Sequence, residues 1–458
     1  MPNTSNTHAV EAWTHWLIRK YEKALQEAKK PVTLPVEAEV VIKEGEAIAY
    51  DDNGDEIART DISKSDEAVR AAVEAILKRN AGVVKLKAGL LYFRGYVPFE
   101  SKIGIVGSTN TMIVPAVDTT VFMGRDISDI MLYNVEIVDS KGVTRVPAIY
   151  FDCVSRFILR DIKINNYGLG LSLQSRLNEE NTTSYGLISN LHIENARTRG
   201  LEIGKDVHDI NISNLSVVGA KDNEAGIVID HTLGGIREID MCSGITLENV
   251  NIKSAGKAGV LIIDWYDLTA NNLWIEGCSG DGLVVLASKT QPTNLFFYGV
   301  HCIENGGIGI NLLGNEKLHI GYILLRGESV RNGKGNLAAE FVDLLDYELH
   351  FGLEKAEPPI LKNTFAKRMG DVAVVSGDGE TVDFKLASIY IPEGIDYKRI
   401  IVKCTPESRD AIDASPLEGY LADENNDGRP DAVRVRFSQP PAKGEYNVEV
   451  AWMTELHL

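Results

Sequence analysis

From about residue 130 one phrase recurs along the chain, and it restricts the fold more than any other feature. An apolar residue is followed by two of any kind and Asn, then apolar–x–apolar, a turn, and Gly–apolar–x–apolar. It reads LYNVEIV, LRDIKINNYGLGLSL, LISNLHIENARTRGLEIG, INISNLSVVGAKDNEAGIVI, ITLENVNIKSAGKAGVLII, LTANNLWIEGCSGDGLVVL and LFFYGVHCIENGGIGINLL. The anchors are Asn134, Asp161, Asn190, Asn214, Asn249, Asn272 and Gly299, spaced by 27, 29, 24, 35, 23 and 27 residues. Fixed-period repetition of this kind marks a solenoid. A unit of this size holds a few short strands and their turns. Within each strand apolar and polar residues alternate, so one set fills an interior and the other faces water. Asn and Gly at the corners tolerate left-handed backbone, and one Asn per coil can stack into a hydrogen-bonded ladder. The segments are too short and too rich in Val, Ile and Gly for helices. A leucine-rich repeat is the nearest alternative, but the units have no helical half. The repeat therefore predicts an all-β chain built around a parallel β-helix.

Upstream lies TDISKSDEAVRAAVEAILKRNAGVVKLKAGLLYFRG. Ser65 is expected to cap a helix whose first turn carries Asp66 and Glu67, favourable at the positive helix end. Val69, Ala72, Val73 and Ile76 form its apolar stripe. This helix, the VVKLKAG strand after it and the coils that follow resemble the pectate-lyase-like superfamily over roughly residues 58–360. The resemblance implies a right-handed parallel β-helix with an N-terminal helix plugging the open end of the core. It implies little about chemistry, because a fold does not fix a function.

The two ends differ from the middle. Residues 8–29 place Val10, Trp13, Leu17, Tyr21, Ala24 and Ala28 near one helical stripe that Pro31 ends. Such a helix either packs on its own domain or assembles three chains. The stretch VEAEVVIKEGEAIAYDDNGDEIART predicts a β-hairpin turning at Asn53-Gly54. After about residue 367 the phrase stops, and alternating runs separated by turn clusters predict an antiparallel β-sandwich. Its phrases SGDGETVDFKL, VKCTPESRDA and VRVRFSQPPAKGEYNVEVAW resemble a C-terminal module of tail-spike-like viral proteins. The expected domains are 1–57, 58–366 and 367–458. Within the last, Asp423, Asn425, Asp427, Arg429 and Asp431 form a candidate Ca2+ loop, with alternating oxygen-bearing residues and Gly428 at the sixth position. The segment resembles the DxNxDGxxD loops of integrin-type repeats. An EF-hand would need Glu at its twelfth position, where Arg434 stands, and a plain acidic turn is the alternative.

A formal net charge of −18 with scattered Lys and Arg argues against nucleic acid and anionic membrane surfaces as partners. No apolar run is long enough to span a bilayer. The N-terminus shows no basic start, apolar core and cleavage site, so no signal peptide is expected. An extracellular or virion-associated place would then require another route or a trimmed leader. Five cysteines at irregular spacing read as buried thiols rather than a disulfide framework.

Successive coils stand about 4.8 Å apart, so aligned positions become neighbours. Aligned on Gly170, Gly200, Gly226, Gly259, Gly282 and Gly309, the residues five further on are Ser175, Lys205, His231, Asp264, Ala287 and Gly314. Lys205, His231 and Asp264 are thereby expected on one edge, with Asp230 and Asp267 close by. Two longer loops, Gln174–Tyr185 carrying Arg176 and Thr232–Ser243 carrying Arg237, would wall a groove floored by Lys205, Asp206 and His208. Elimination from a uronic acid needs a base, for which Lys205 or His231 fits, and cations beside the sugar carboxylate, for which Arg176 or Arg237 fits. Hydrolysis needs two carboxylates, for which Asp230 and Asp264 are candidates. The paired-Asp and Gly-His-Gly signatures of polygalacturonases are absent, and Asp230-His231 is only a fragment of the Asp-Pro-His-Asp motif of alginate epimerases. For each of these residues a polar turn on a solvated corner is the alternative. Trp265, Tyr266 and Trp274 could stack on sugar faces or pack in the core.

Together these features point to a tail-spike-like appendage, a homotrimer that recognises and conceivably cuts a surface polysaccharide. A free-standing lyase or glycoside hydrolase and a non-catalytic structural or adhesive subunit are the two alternatives.

Overall fold

The computed structural model describes residues 36–87, 89–176, 181–219, 224–233, 243–351, 360–362, 364, 366–388, 400–406, 417–425, 428 and 430–454. The expected helix at 8–29 lies outside them. The body is a parallel β-helix whose coils each contribute a long and a short strand. Long strands include Thr183–Glu194, Val207–Val218, Ile245–Lys253, Tyr266–Glu276 and Thr293–Ile303. Short ones include Leu169–Gln174, Arg199–Ile203, Ala225–Asp230, Ala258–Ile263, Asp281–Leu286 and Ile310–Leu313. Each strand pairs in parallel with its equivalent one coil on. Its hand is right, as parallel crossovers dictate.

Corners form where the chain adopts left-handed backbone, and they recur with a fixed step. The anchors Asn134, Asp161, Asn190, Asn214, Asn249, Asn272 and Gly299 all have φ between +53° and +71°. Five residues before each comes a second left-handed residue: Asp129, Arg156, Tyr185, Asp209, Gly244, Asp267 and Asn294. Five residues after all but the first comes a third: Asn166, Asn195, Gly219, Ser254, Gly277 and Glu304. Asparagine is well suited to this conformation, and its side chain also bonds along the stack. Asn214 Nδ2 donates to Asn190 Oδ1 at 3.0 Å, Asn249 to Asn214 at 3.4 Å, and Asn272 to Asn249 at 3.0 Å. Asn190 donates to Asp161 at 2.6 Å. The asparagine ladder is thus real, but it is one of three left-handed columns five residues apart, and a fourth, less regular set, Asp126, Cys153, Asp206 and Asp264, lies three residues before the first column.

Inside, equivalent residues stack as continuous apolar files, such as Leu171, Leu201, Ile227, Val260, Leu283 and Ile310. All six are fully buried. In the first coils the interior widens into a chain of rings, Phe93, Phe122, Phe99, Phe151 and Phe157, with successive centroids 5.1–6.1 Å apart.

The helix Ser65–Leu77 closes the N-terminal end, burying Val69, Ala72, Val73 and Ile76. Ser65 does not cap it. The residue before the helix, Lys64, makes no side-chain cap bond, whereas Asp61 caps the short 3-10 turn Ile62–Lys64 by accepting from Ser63 N. Ser65 sits inside the first turn, buried, and donates to Ile62 O at 2.6 Å. Before the helix come strands Val36–Lys43, Glu46–Asp51 and Glu56–Asp61, a meander rather than one hairpin. Gly54, at φ +84°, turns the second pair. The first of these strands pairs in parallel with Gly82–Leu86, so the meander runs straight into the first coil.

At the other end strand Ala366–Gly377 starts parallel to Val342–His350, then pairs antiparallel with Gly444–Thr454. A second sheet, Asp383–Ser388, Ala432–Phe437 and Leu417–Ala422, completes an antiparallel sandwich. Its core holds Val375, Leu386, Val433, Val435, Phe437 and Val448.

Cys153, Cys278 and Cys302 are buried and unpaired by disulfide. Burial pushes the Cys278 thiol up to about 11. Cys242 and the Cys404 side chain lie outside the description.

Candidate functional site

Alternation along each short strand sends two side chains outward, two and four positions after the aligned glycine. Strand register joins them into two rows. One row runs Met123, Tyr150, Ser172, Glu202, Val228, Leu261 and Val284. The other starts Arg125, Asp152 and Gln174, and after Gly204 continues with Asp230, Ile263 and Leu286. The first coils are therefore mainly polar on this outer face and the middle ones mainly apolar, before Asn311 and Glu340 return polar residues to the same rows.

The polar half is sheltered although it faces out. Gln174 is 0% exposed, Ser172 2%, Asp152 3% and Glu202 8%. Glu202 Oε1 accepts from Ser172 Oγ at 3.0 Å and from Gln174 Nε2 at 2.6 Å. Its other oxygen pairs with Arg199, which also grips Glu224. Burial works against the Arg199 charge, but Glu202 and Glu224 more than offset it, and the guanidinium is held above its ordinary range. Tyr150 donates to Asp152 Oδ2 at 3.0 Å, and Asp152 Oδ1 accepts the Arg176 amide at 2.6 Å. Burial, then the Asp152 charge and hydrogen bond, push the Tyr150 hydroxyl well above its usual range. Arg125 lies 5.7 Å from the centre of the Tyr150 ring. A Cβ on Gly204 would run into the Gln174 amide, so the row is interrupted there by a glycine.

Reading the residue five positions after each strand-opening glycine passes over this cluster of Tyr150, Asp152, Ser172, Gln174, Arg199 and Glu202. The signal was in the strands. GLSLQ and GLEIG carry polar residues outward, where GVLII and GLVVL carry apolar ones.

Most of the expected edge residues lie at the corner that closes the short strands. The backbone carries the stack past the strand ends: His231 N donates to Ile263 O at 3.1 Å and Asp264 N to Leu286 O at 3.0 Å. Lys205 N donates to Leu233 O at 3.0 Å, two residues beyond His231. Lys205 is half-buried. His231 Nδ1 lies 3.4 Å from Thr290 Oγ1.

Several expected roles change. Asp264 is fully buried and both its oxygens accept turn amides, from Ser288 at 2.6 Å and Lys289 at 2.8 Å, so it holds the next corner instead of reaching a substrate. Asp230 turns similarly, its Oδ1 accepting from Thr232 N at 2.7 Å. Asp206 is buried and left-handed, a corner residue. His208 has both ring nitrogens occupied, by Thr182 at 2.9 Å and Asp209 at 3.0 Å. Asp267 belongs to a left-handed column and accepts from Asn294 at 3.0 Å. Trp265 is fully buried in the core and cannot stack on a sugar. Arg176 is exposed beside the polar trough. Arg237 lies outside the described residues.

Trp274 does point outward, but on the long-strand sheet. Its ring stacks on His301 with centroids 4.8 Å apart, and His301 Nδ1 lies 2.9 Å from Glu328.

In the expected calcium loop, Asp423 Oδ2 accepts from Gly428 N at 2.8 Å and Asp431 Oδ1 from Glu424 N at 2.7 Å. Asn425 is exposed, and Asp427 and Arg429 lie outside the described residues. Among the described residues no three His, Cys, Asp or Glu side chains are grouped to hold a metal. None of the described helices is long and apolar enough to cross a membrane.

No family model and no curated protein matches the chain. Solved structures with similar coils include the A-module of an Azotobacter vinelandii mannuronan C-5 epimerase, 13% identical, covering 66% of this chain and 96% of its own at a TM-score of 0.43. A hyperthermoactive exopolygalacturonase from Thermotoga maritima is 12% identical, covering 65% of this chain and 88% of its own at 0.43. A tailspike of Acinetobacter baumannii bacteriophage Fri1, described as a capsular polysaccharide depolymerase, is 10% identical, covering 85% and 83% at 0.38. The chain's own coils and register make it a parallel β-helix.

Proposed function

We propose that this protein recognises an acidic polysaccharide in the trough formed by Tyr150, Asp152, Ser172, Gln174, Arg199 and Glu202, as a subunit of a trimeric, tail-spike-like appendage. One observation carries the reading: four polar side chains on the outside of the solenoid are nonetheless less than 9% exposed. Buried polar groups are costly unless paired, and beside these a cationic Arg199 is bound to Glu202, with the exposed Arg176 following the strand whose outward Gln174 neighbours Asp152. A polyhydroxylated chain with carboxylates supplies matching donors and acceptors. A surface polysaccharide as partner supports a place outside the cell or on a virion.

Titration calorimetry with a panel of uronic-acid and neutral polysaccharides tests this reading. Saturable binding of an acidic polymer that falls at least tenfold in Glu202→Gln supports it, and equal binding by the variant removes it. Light scattering of the full chain tests the assembly: a trimer supports the appendage, whereas a monomer transfers the same trough to a free-standing enzyme.

A further inference from the structure

The corner that carries His231 continues down the solenoid into a cleft of about 260 Å³ lined by Gln291, Lys317, Leu318, His319 and Asp343. The loop after Asp281–Leu286 ties the two together, because Thr290 reaches His231 while its neighbour Gln291 reaches Asp343. The cleft is smaller than the ~300–1,000 Å³ usual for a drug-sized ligand, which suits one sugar ring.

Its polar groups are fixed in advance. Asp343 Oδ1 lies 2.7 Å from His319 Nδ1, and Oδ2 accepts from Gln291 Nε2 at 2.8 Å. A carboxylate only accepts, so His319 donates through Nδ1 and presents Nε2 on the far edge of its ring. The His319 ring is backed by Phe341, with centroids 5.5 Å apart. Asn315 Oδ1 accepts the amides of Lys317 and Leu318 at 3.0 and 3.1 Å, which shapes the loop bearing the lysine. Lys317 is exposed, and among the described residues no carboxylate pairs with its ammonium. In a chain of net charge −18 that is an uncompensated cation at the mouth of a polar cleft.

We infer that this cleft is a subsite for one carboxylate-bearing sugar unit, a uronic acid. The sugar carboxylate accepts from Lys317 and the second amide N–H of Gln291, and a ring hydroxyl donates to His319 Nε2. The inference deepens the polysaccharide reading and rests on it: coils rise about 4.8 Å each, so an extended chain lying along this corner meets successive coils with successive units.

The test uses the full chain with D-glucuronate and D-glucose as probes, followed by saturation-transfer NMR and calorimetry. Wild type binds glucuronate saturably and glucose at least tenfold more weakly. Lys317→Met erases that preference, His319→Gln weakens both sugars, and Val284→Ala, on the apolar outer row, leaves glucuronate binding unchanged. No saturable glucuronate binding, no discrimination between the two sugars, or unchanged binding in Lys317→Met overturns the subsite. Polymer binding separates the two readings: loss in Glu202→Gln with none in Lys317→Met keeps the trough and removes the subsite, and the reverse keeps the subsite and removes the trough.

Discussion

The outer face of the short-strand sheet has two halves that share a backbone and almost nothing else. In the first coils its rows are Tyr150, Ser172 and Glu202 beside Arg125, Asp152 and Gln174. In later coils the same positions hold Val228, Leu261 and Val284 beside Ile263 and Leu286. Ala225, Val228, Ala258 and Val284 form a separate apolar cluster there, outside the main core. The register is unbroken between them, so the difference owes nothing to strand geometry. The solenoid supplies a lattice of positions, and side-chain choice alone decides which coils carry a paired polar cluster and which add apolar cover.

The sharpest way to break this comparison is at Glu202. Glu202→Ala removes the acceptor shared by Ser172 and Gln174 and half of the Arg199 pairing. Polysaccharide affinity should fall at least tenfold in calorimetry, with a stability loss of about 2 kcal/mol in thermal unfolding, because Glu224 still balances Arg199. The columns serve both halves equally, so Asn214→Ala should cost about 1–2 kcal/mol without changing affinity, while Asn214→Gly recovers the backbone part of that loss. On the apolar half, Val284→Ala should cost about 1 kcal/mol and leave binding untouched; a binding defect there would mean the ligand spans both halves.

Acid pH acts on neither half specifically. Burial opposes the Asp139 charge, but bonds from the Thr144 amide and hydroxyl and the Lys141 and Gly142 amides outweigh it, holding the carboxyl below its ordinary value. A depressed folded-state value adds stability that is present above the unfolded value and lost as pH falls through the folded one. Unfolding midpoints should therefore stay level near neutrality and drop below about pH 4, and less steeply in Asp139→Asn. The smallest effect belongs to calcium. If the Asp423–Asp431 loop binds the ion, millimolar calcium raises the unfolding temperature of the sandwich, and an unchanged value makes the loop an ordinary turn.

The coils were legible because a repeat is read many times over. Asn134 alone means little, whereas seven anchors at one phase define corners. The glycine alignment found the true register for the same reason. Individual roles were harder to read. Asp264 as a carboxylate and His208 on the groove floor look available as residue types, yet Asp264 accepts turn amides from the next coil and His208 is held between Thr182 and its neighbour Asp209. Trp265 follows a left-handed residue, and that backbone turn sends its ring into the core. Glu202 was hidden because polarity inside a short strand has meaning only beside the strands above and below it.

The left-handed columns also determine where this molecule can acquire novelty. Within a coil the three columns stay five residues apart, but the return from Asn166 to Tyr185 takes 19 residues, from Asn195 to Asp209 14, from Gly219 to Gly244 25, and from Ser254 to Asp267 13. Every insertion has been admitted into the arc that holds the short strand and its loops, and none into the two arcs between columns. That arc is the tolerant one for engineering: new loops can be spliced there, or a whole coil copied, while the phase of every other coil is preserved.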